Sequence, residues 1–134
     1  MSAAIRARAK AGARAAFAAA GDAIANCTLQ LEPVHGAYDP ATDSISTTWG
    51  FEESMPCLAY DDTEERQGLD PTRRRRAFLF LGEDMGDTKG SEEGRVTDSD
   101  GDIWEIWMVE TDPTSAIWIF YGRAPKPVPE EVEP

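Results

Sequence analysis

The chain has 134 residues, the size of one domain, and a second independent core would have too little surface to bury. Hydrophobic residues make up 41% and charged residues 28%, which excludes wholesale disorder. The formal net charge of -12 excludes tight, sequence-independent wrapping of DNA or RNA, because such binding needs a basic surface to displace counterions. A protein that sits beside DNA without adhering to it is compatible with this charge.

Residues 2–25 consist mostly of Ala, Arg, Lys and Gly with single large apolar residues and no proline, so a helix is expected there. Ile5, Ala9, Ala13 and Phe17 recur at four-residue steps, with Ala16, Ala20 and Ile24 beside them. This apolar stripe is too thin for the centre of a core and suits a helix lying against a sheet or a neighbouring subunit. Basic residues interrupt the alanines, so the segment is read as part of the mature protein and not as a leader peptide. No run approaches the roughly 20 apolar residues needed to span a bilayer, and no membrane partner is expected.

From Cys27 to Val34 the residues alternate and favour strand. Tyr38 to Asp43 reads as a turn, with Pro40 setting a backbone angle and Asp or Thr bonding locally. Ile45–Gly50 and Ser54–Tyr60 read as two further strands. Asp61 to Arg75 lacks apolar periodicity and is expected to be a long exposed loop. Arg76–Leu81 is a strand, and Gly82 to Gly94 an acidic connection. Arg95–Thr97, Ile103–Glu110 and Ala116–Arg123 complete the set, with Asp98-Ser99-Asp100-Gly101-Asp102 as a hairpin turn in which Gly takes a positive φ. The expected fold class is mainly β with an N-terminal α-helix, built as a small antiparallel β-barrel or sandwich of about six or seven strands. Residues 1–26 would be the helix, 27–123 the barrel, and 124–134 an extended Pro/Glu-rich tail.

The chemistry-bearing residues are sparse. His35, before a turn, has no nucleophile at a suggestive spacing. Asp98, Asp100 and Asp102 lack the EF-hand spacing, and a turn accounts for them. Glu52-Glu53 and Glu92-Glu93 are sequence neighbours, which point to opposite faces of a strand and form no acid/base dyad. Cys27 and Cys57 are read as isolated buried thiols of a protein made in a reducing compartment. The expectation is therefore a protein that is not an enzyme and that uses no metal and no cofactor. Arg73, Arg74, Arg75 and Arg76 form the most unusual local feature and are candidates for subunit or partner contacts. Trp49, Trp104, Trp107 and Trp118 are expected in the core or at an interface. Trp104 and Trp107 would point to opposite faces of one strand.

Several of these segments together resemble the head-completion proteins of tailed bacteriophages, the stopper or head-closure ring between the portal's adaptor and the tail. The resemblance lies in Ala37-Tyr38-Asp39-Pro40-Ala41-Thr42-Asp43, in the strand ending at Ala59-Tyr60, and in Arg76-Ala77-Phe78-Leu79-Phe80. It continues through Asp100-Gly101-Asp102-Ile103-Trp104-Glu105-Ile106 to a last strand closing on Arg123, covering roughly residues 27–123. It implies a structural virion protein, made in the host cytoplasm, that forms a ring of six or twelve copies in the neck. The ring would contact adaptor and portal proteins on one side and a tail terminator or tail tube on the other, with packaged DNA passing through without sequence-specific contact. It further implies that Asp61, Asp62, Thr63, Glu64, Glu65, Arg66, Gln67, Gly68, Leu69 and Asp70 form a loop projecting into the lumen and closing the channel. The alternatives are a tail terminator or other tail-interface protein and, from another class, a soluble β-barrel binding module or a minor hydrolase using Asp/Glu chemistry.

Overall fold

The computed structural model describes residues 3–63, 73–85 and 93–125. Helix α1 (Ala3–Ala19) leads through a 3-10 turn at Gly21–Ala23 into six strands. These are β1 (Ile24–Asp39), β2 (Ser44–Asp61), β3 (Arg75–Leu81), β4 (Gly94–Thr97), β5 (Ile103–Thr111) and β6 (Ile117–Arg123). All pairings are antiparallel, and the order β1-β2-β3-β6-β5-β4 closes on itself as a barrel. Two three-stranded meanders are thus joined edge to edge, β3 against β6 and β4 against β1. Closure removes the free edges that an open sheet of this size would expose.

The interior is filled by side chains, as a barrel this narrow requires. Leu29 and Leu31 from β1, Cys57 from β2, Phe78 and Phe80 from β3, Val96 from β4, Trp104 from β5 and Phe120 from β6 form one cluster. The Phe80 and Phe120 rings meet edge-to-face with centroids 5.8 Å apart, and Phe78 lies 6.2 Å from Trp104. Met85, from the short 3-10 turn at Gly82–Met85, is also buried in this core. The acidic connection after β3 therefore begins by plugging the barrel. Gly122 sits where the wall closes on the core: a Cβ there would lie 2.8 Å from the Trp104 Cβ and 3.2 Å from Phe78 Cε2. Gly122→Ala should cost about 2 kcal/mol by overpacking, read as a lower urea midpoint with unchanged slope.

Several boundaries differ from the sequence expectation. The first strand begins at Ile24, not Cys27, and runs on to Asp39. Ile45–Gly50 and Ser54–Tyr60 are one strand of 18 residues, because β1 pairs continuously alongside and Phe51, Glu52 and Glu53 face Leu31, Gln30 and Leu29 in register. Pairing overrides the poor strand preference of consecutive glutamates. On β5 the register shifts between Ile106 and Met108, a bulge centred on Trp107. The extra residue resets the alternation, so Trp104 and Ile106 point inward before it and Val109 packs on the core after it.

The β1–β2 hairpin outgrows the barrel. β4 pairs β1 only at Thr28–Leu31, and β3 pairs β2 only at Cys57–Asp61. Among the described residues, 33–39 and 44–49 consequently pair only with each other. At about 3.3 Å per residue this two-stranded arm extends roughly 20–25 Å beyond the wall. No residue between Leu31 and Met55 belongs to the buried core.

Candidate assembly surfaces

The arm is built by its turn. Asp39 accepts a bond from the Ala41 N–H at 2.9 Å, Thr42 and Ser44 hydroxyls meet at 2.7 Å, and Asp43 adopts a φ of 50° that aspartate tolerates better than most residues. The Tyr38 hydroxyl donates to Asp43. Tyr38 and Ile45 stand opposite each other in register, on the β2 face that also carries Trp49 and Phe51. Val34, Tyr38 and Ile45 are 59%, 56% and 53% exposed, so the arm holds three large apolar side chains in water. His35 lies within the arm, its Nδ1 3.1 Å from the Thr47 hydroxyl.

A second surface lies where α1 meets the barrel. Phe17 is the one buried residue of the helix, and Arg14 grips Glu83 through two guanidinium nitrogens at 3.0 and 2.5 Å. The hydrogen bonds and charge of Arg14 hold the Glu83 carboxyl below its ordinary value. Between helix and wall runs an apolar groove of about 350 Å³ lined by Ala9, Ala13, Phe17, Leu58, Leu79 and Ile117. The Ile5-Ala9-Ala13-Phe17 stripe does face the sheet at Ala9, Ala13 and Phe17, whereas Ile5 remains 56% exposed.

The four arginines gather at one end of the barrel and are engaged within the chain. Arg73 donates to the Ala124 carbonyl at 2.7 Å and to Glu105 at 2.9 Å. Arg75 lies 3.8 Å from Asp62, and Arg76 donates to Asp98 at 3.1 Å. Arg74 is exposed, with its guanidinium carbon 5.6 Å from the centre of the Trp104 ring. Three of the four charges thus tie strand ends together within the chain. Their acids come from segments far apart in sequence and meet only when the barrel closes.

Asp98 is the centre of this network. Its Oδ1 accepts from the N–H groups of Asp100 at 3.0 Å and Asp102 at 2.9 Å, closing the β4–β5 turn. Its Oδ2 accepts from the Trp104 indole N–H at 3.0 Å and from Arg76. Gly101 takes the expected positive φ of 89°. Burial pushes the Asp98 carboxyl up, but these bonds together hold it below the ordinary aspartate range. Asp112 does the same for the β5–β6 turn, accepting from the Thr114 hydroxyl and the N–H groups of Ala116 at 2.8 Å and Ile117 at 3.2 Å. It too is held low by hydrogen bonds that outweigh its burial. Sequence reading passed over Asp112; Asp-Pro-Thr-Ser between two strands was its signal.

Of the loop expected from Asp61 onward, the first residues belong to the wall. Asp61 pairs with Arg76 in register, and the Asp62 N–H donates to the Arg75 carbonyl at 3.2 Å while its side chain is 5% exposed. Thr63 follows, and Glu64–Asp70 lie outside the described residues. Trp104 is in the core, and Trp118 packs against it beside Phe120. Trp107 is half-buried with its ring 6.0 Å from Tyr121, and Trp49 carries Arg95 at 5.1 Å from its ring centre. Cys27 and Cys57 are buried free cysteines. The Cys57 thiol, hydrogen-bonded to Cys27 and desolvated, is held far above the ordinary thiol range. The Cys27 thiol is lowered by the same hydrogen bond, but both sulfurs are buried, so neither cysteine should react with a water-soluble disulfide reagent until the protein is denatured, as absorbance of the released thiol would show.

Among the described residues no group of three or more His, Cys, Asp or Glu side chains is placed to hold a metal ion, and no helix is long and apolar enough to cross a membrane. No protein-family model matches the chain, and no curated protein matches it in sequence.

Proposed function

We propose that this chain is a structural subunit of the neck of a tailed bacteriophage, forming a ring between the portal side of the head and the tail. The observation that carries this reading is the arm: a ribbon roughly 20–25 Å long, with Val34, Tyr38 and Ile45 uncovered, attached to a barrel whose buried core takes no residue from it. An isolated two-stranded ribbon is marginally stable in water, and exposed apolar side chains grouped on it mark a contact with another chain. A net charge of -12 suits a subunit lining a DNA channel, since an acidic lumen lets the duplex slide without adhering. In this reading the protein performs no chemical step; its work is to assemble, to retain packaged DNA and to receive the tail.

The test is the composition and anatomy of phage particles. The chain is expected in purified virions at a small fixed multiple per portal, with density at the neck. Loss of the gene should leave DNA-filled heads that leak and carry no tails. Its absence from purified virions would overturn the proposal.

A further inference from the structure

We infer that the β1–β2 arm of one copy seats in the helix–barrel groove of the next copy, so that subunits join head to tail. This rests on the ring reading above and names the contact that would make the ring. The occupant is argued from charge as well as shape. Helix α1 carries Arg6, Arg8, Lys10 and Arg14 and no acid. Strands β1 and β2 with their turn carry Glu32, Asp39, Asp43, Glu52, Glu53 and Asp61 and no lysine or arginine.

The basic residues are also placed for this contact. Arg6, Lys10 and Arg14 follow one another at four-residue steps, one position round from the Ile5-Ala9-Ala13-Phe17 stripe, and so flank the groove along its length. Like charges at that spacing repel, each pair disfavouring the helix by about 0.2–0.5 kcal/mol. Within the copy Arg14 is matched by Glu83, whose carboxyl also feels the charge of Lys10, whereas Arg6 and Arg8 make no ion pair with another described residue. An acidic ribbon laid alongside would relieve that repulsion. Tyr38 and Ile45, opposite one another at the tip, would enter the apolar groove while Asp39 and Asp43 meet the basic stripe. Arm and groove are different surfaces, so apart from a reciprocal exchange of arms between two copies the contact is heterologous and generates a closed ring or an open filament.

A charge exchange tests this on the full chain. In the first variant, Asp39→Asn, Ala41→Lys, Asp43→Asn and Ser46→Lys make the tip basic while asparagine preserves the turn and the Thr42–Ser44 bond is untouched. In the second, Arg6→Glu, Arg8→Glu and Lys10→Glu make the helix acidic. Sedimentation velocity of the wild type at rising concentration in low salt should show assembly that weakens as salt is added. Each variant alone should stay monomeric with unchanged circular dichroism, and an equimolar mixture should assemble again, because every junction in an alternating ring is then complementary. Ala13→Trp, which fills the groove without touching charge, should block self-assembly and, mixed with the wild type, should interrupt its rings. If the wild type assembles and the variants assemble equally well alone, or the mixture fails to recover, the arm–groove contact is wrong while the ring reading stands. A wild type that stays monomeric at every concentration overturns both.

Discussion

Replacing Asp98 with alanine is expected to lower the stability of the barrel by about 3–4 kcal/mol, the largest effect of any single polar substitution. The residue is 6% exposed, and its two oxygens serve four donors: the Asp100 and Asp102 N–H groups, the Trp104 indole and Arg76. Alanine leaves the indole N–H and part of the guanidinium buried without an acceptor, and unsatisfied buried donors cost more than the bonds they replace. Asp98→Asn should be milder, since its amide oxygen can still accept from the turn, although its NH2 would then face two donors. Urea titration followed by Trp fluorescence reads both, and the indole bond makes Trp104 a reporter at the site.

The same residue sets an acid limit. A carboxyl held below its ordinary value in the folded state contributes stability that is complete above the unfolded value and is lost as pH falls toward the folded one. With an ordinary aspartate near pH 3.9, wild-type stability should begin to decline below about pH 5 and keep falling through pH 3. The gap between wild type and Asp98→Ala should narrow over the same window. A gap independent of pH would mean that the carboxylate charge is not what stabilises the turn.

Excising the arm should do the opposite: little to stability and everything to assembly. Joining Leu31 to Phe51 through a short Asn-Gly turn removes Glu32 to Gly50, a stretch with no residue in the buried core. The strand positions that pair with β3 and β4 remain. The shortened chain should unfold within about 1 kcal/mol of the intact barrel, since surface segments outside the core carry little of its stability. Under conditions where the intact chain assembles, it should remain a monomer. A shortened chain that is unfolded by circular dichroism would show that the arm is part of the folding unit and not an appendage.

Much of the fold was legible because local signals agreed with the final pairing. The Pro40-centred turn, the Asp-Gly of the β4–β5 hairpin and the apolar run at Arg76–Leu81 each specify their element within a few residues. What escaped depends on distant neighbours. The arm is written in Ser, Thr, Ile and Tyr, the alphabet of any half-covered strand, and only the short reach of β3 and β4 leaves it bare. Glu52-Glu53 reads as a break, yet β1 pairs straight through it. The arginine run reads as a set of subunit or partner contacts, and its ties to Asp62, Asp98 and Glu105 within the chain appear only once the barrel closes. Trp107 reads as an outward residue by simple alternation, and the bulge at its own position is what resets the count. The basic helix and the acidic hairpin were each visible as composition. Their meaning as complementary surfaces required knowing that one flanks a groove and the other projects from the barrel.

The central claim is that this barrel exists to assemble with copies of itself. Native mass spectrometry of the full chain at low ionic strength tests it most directly. The account predicts a closed oligomer of a single size, which falls to monomer as salt is raised. A lone monomer peak across the whole concentration range would contradict it.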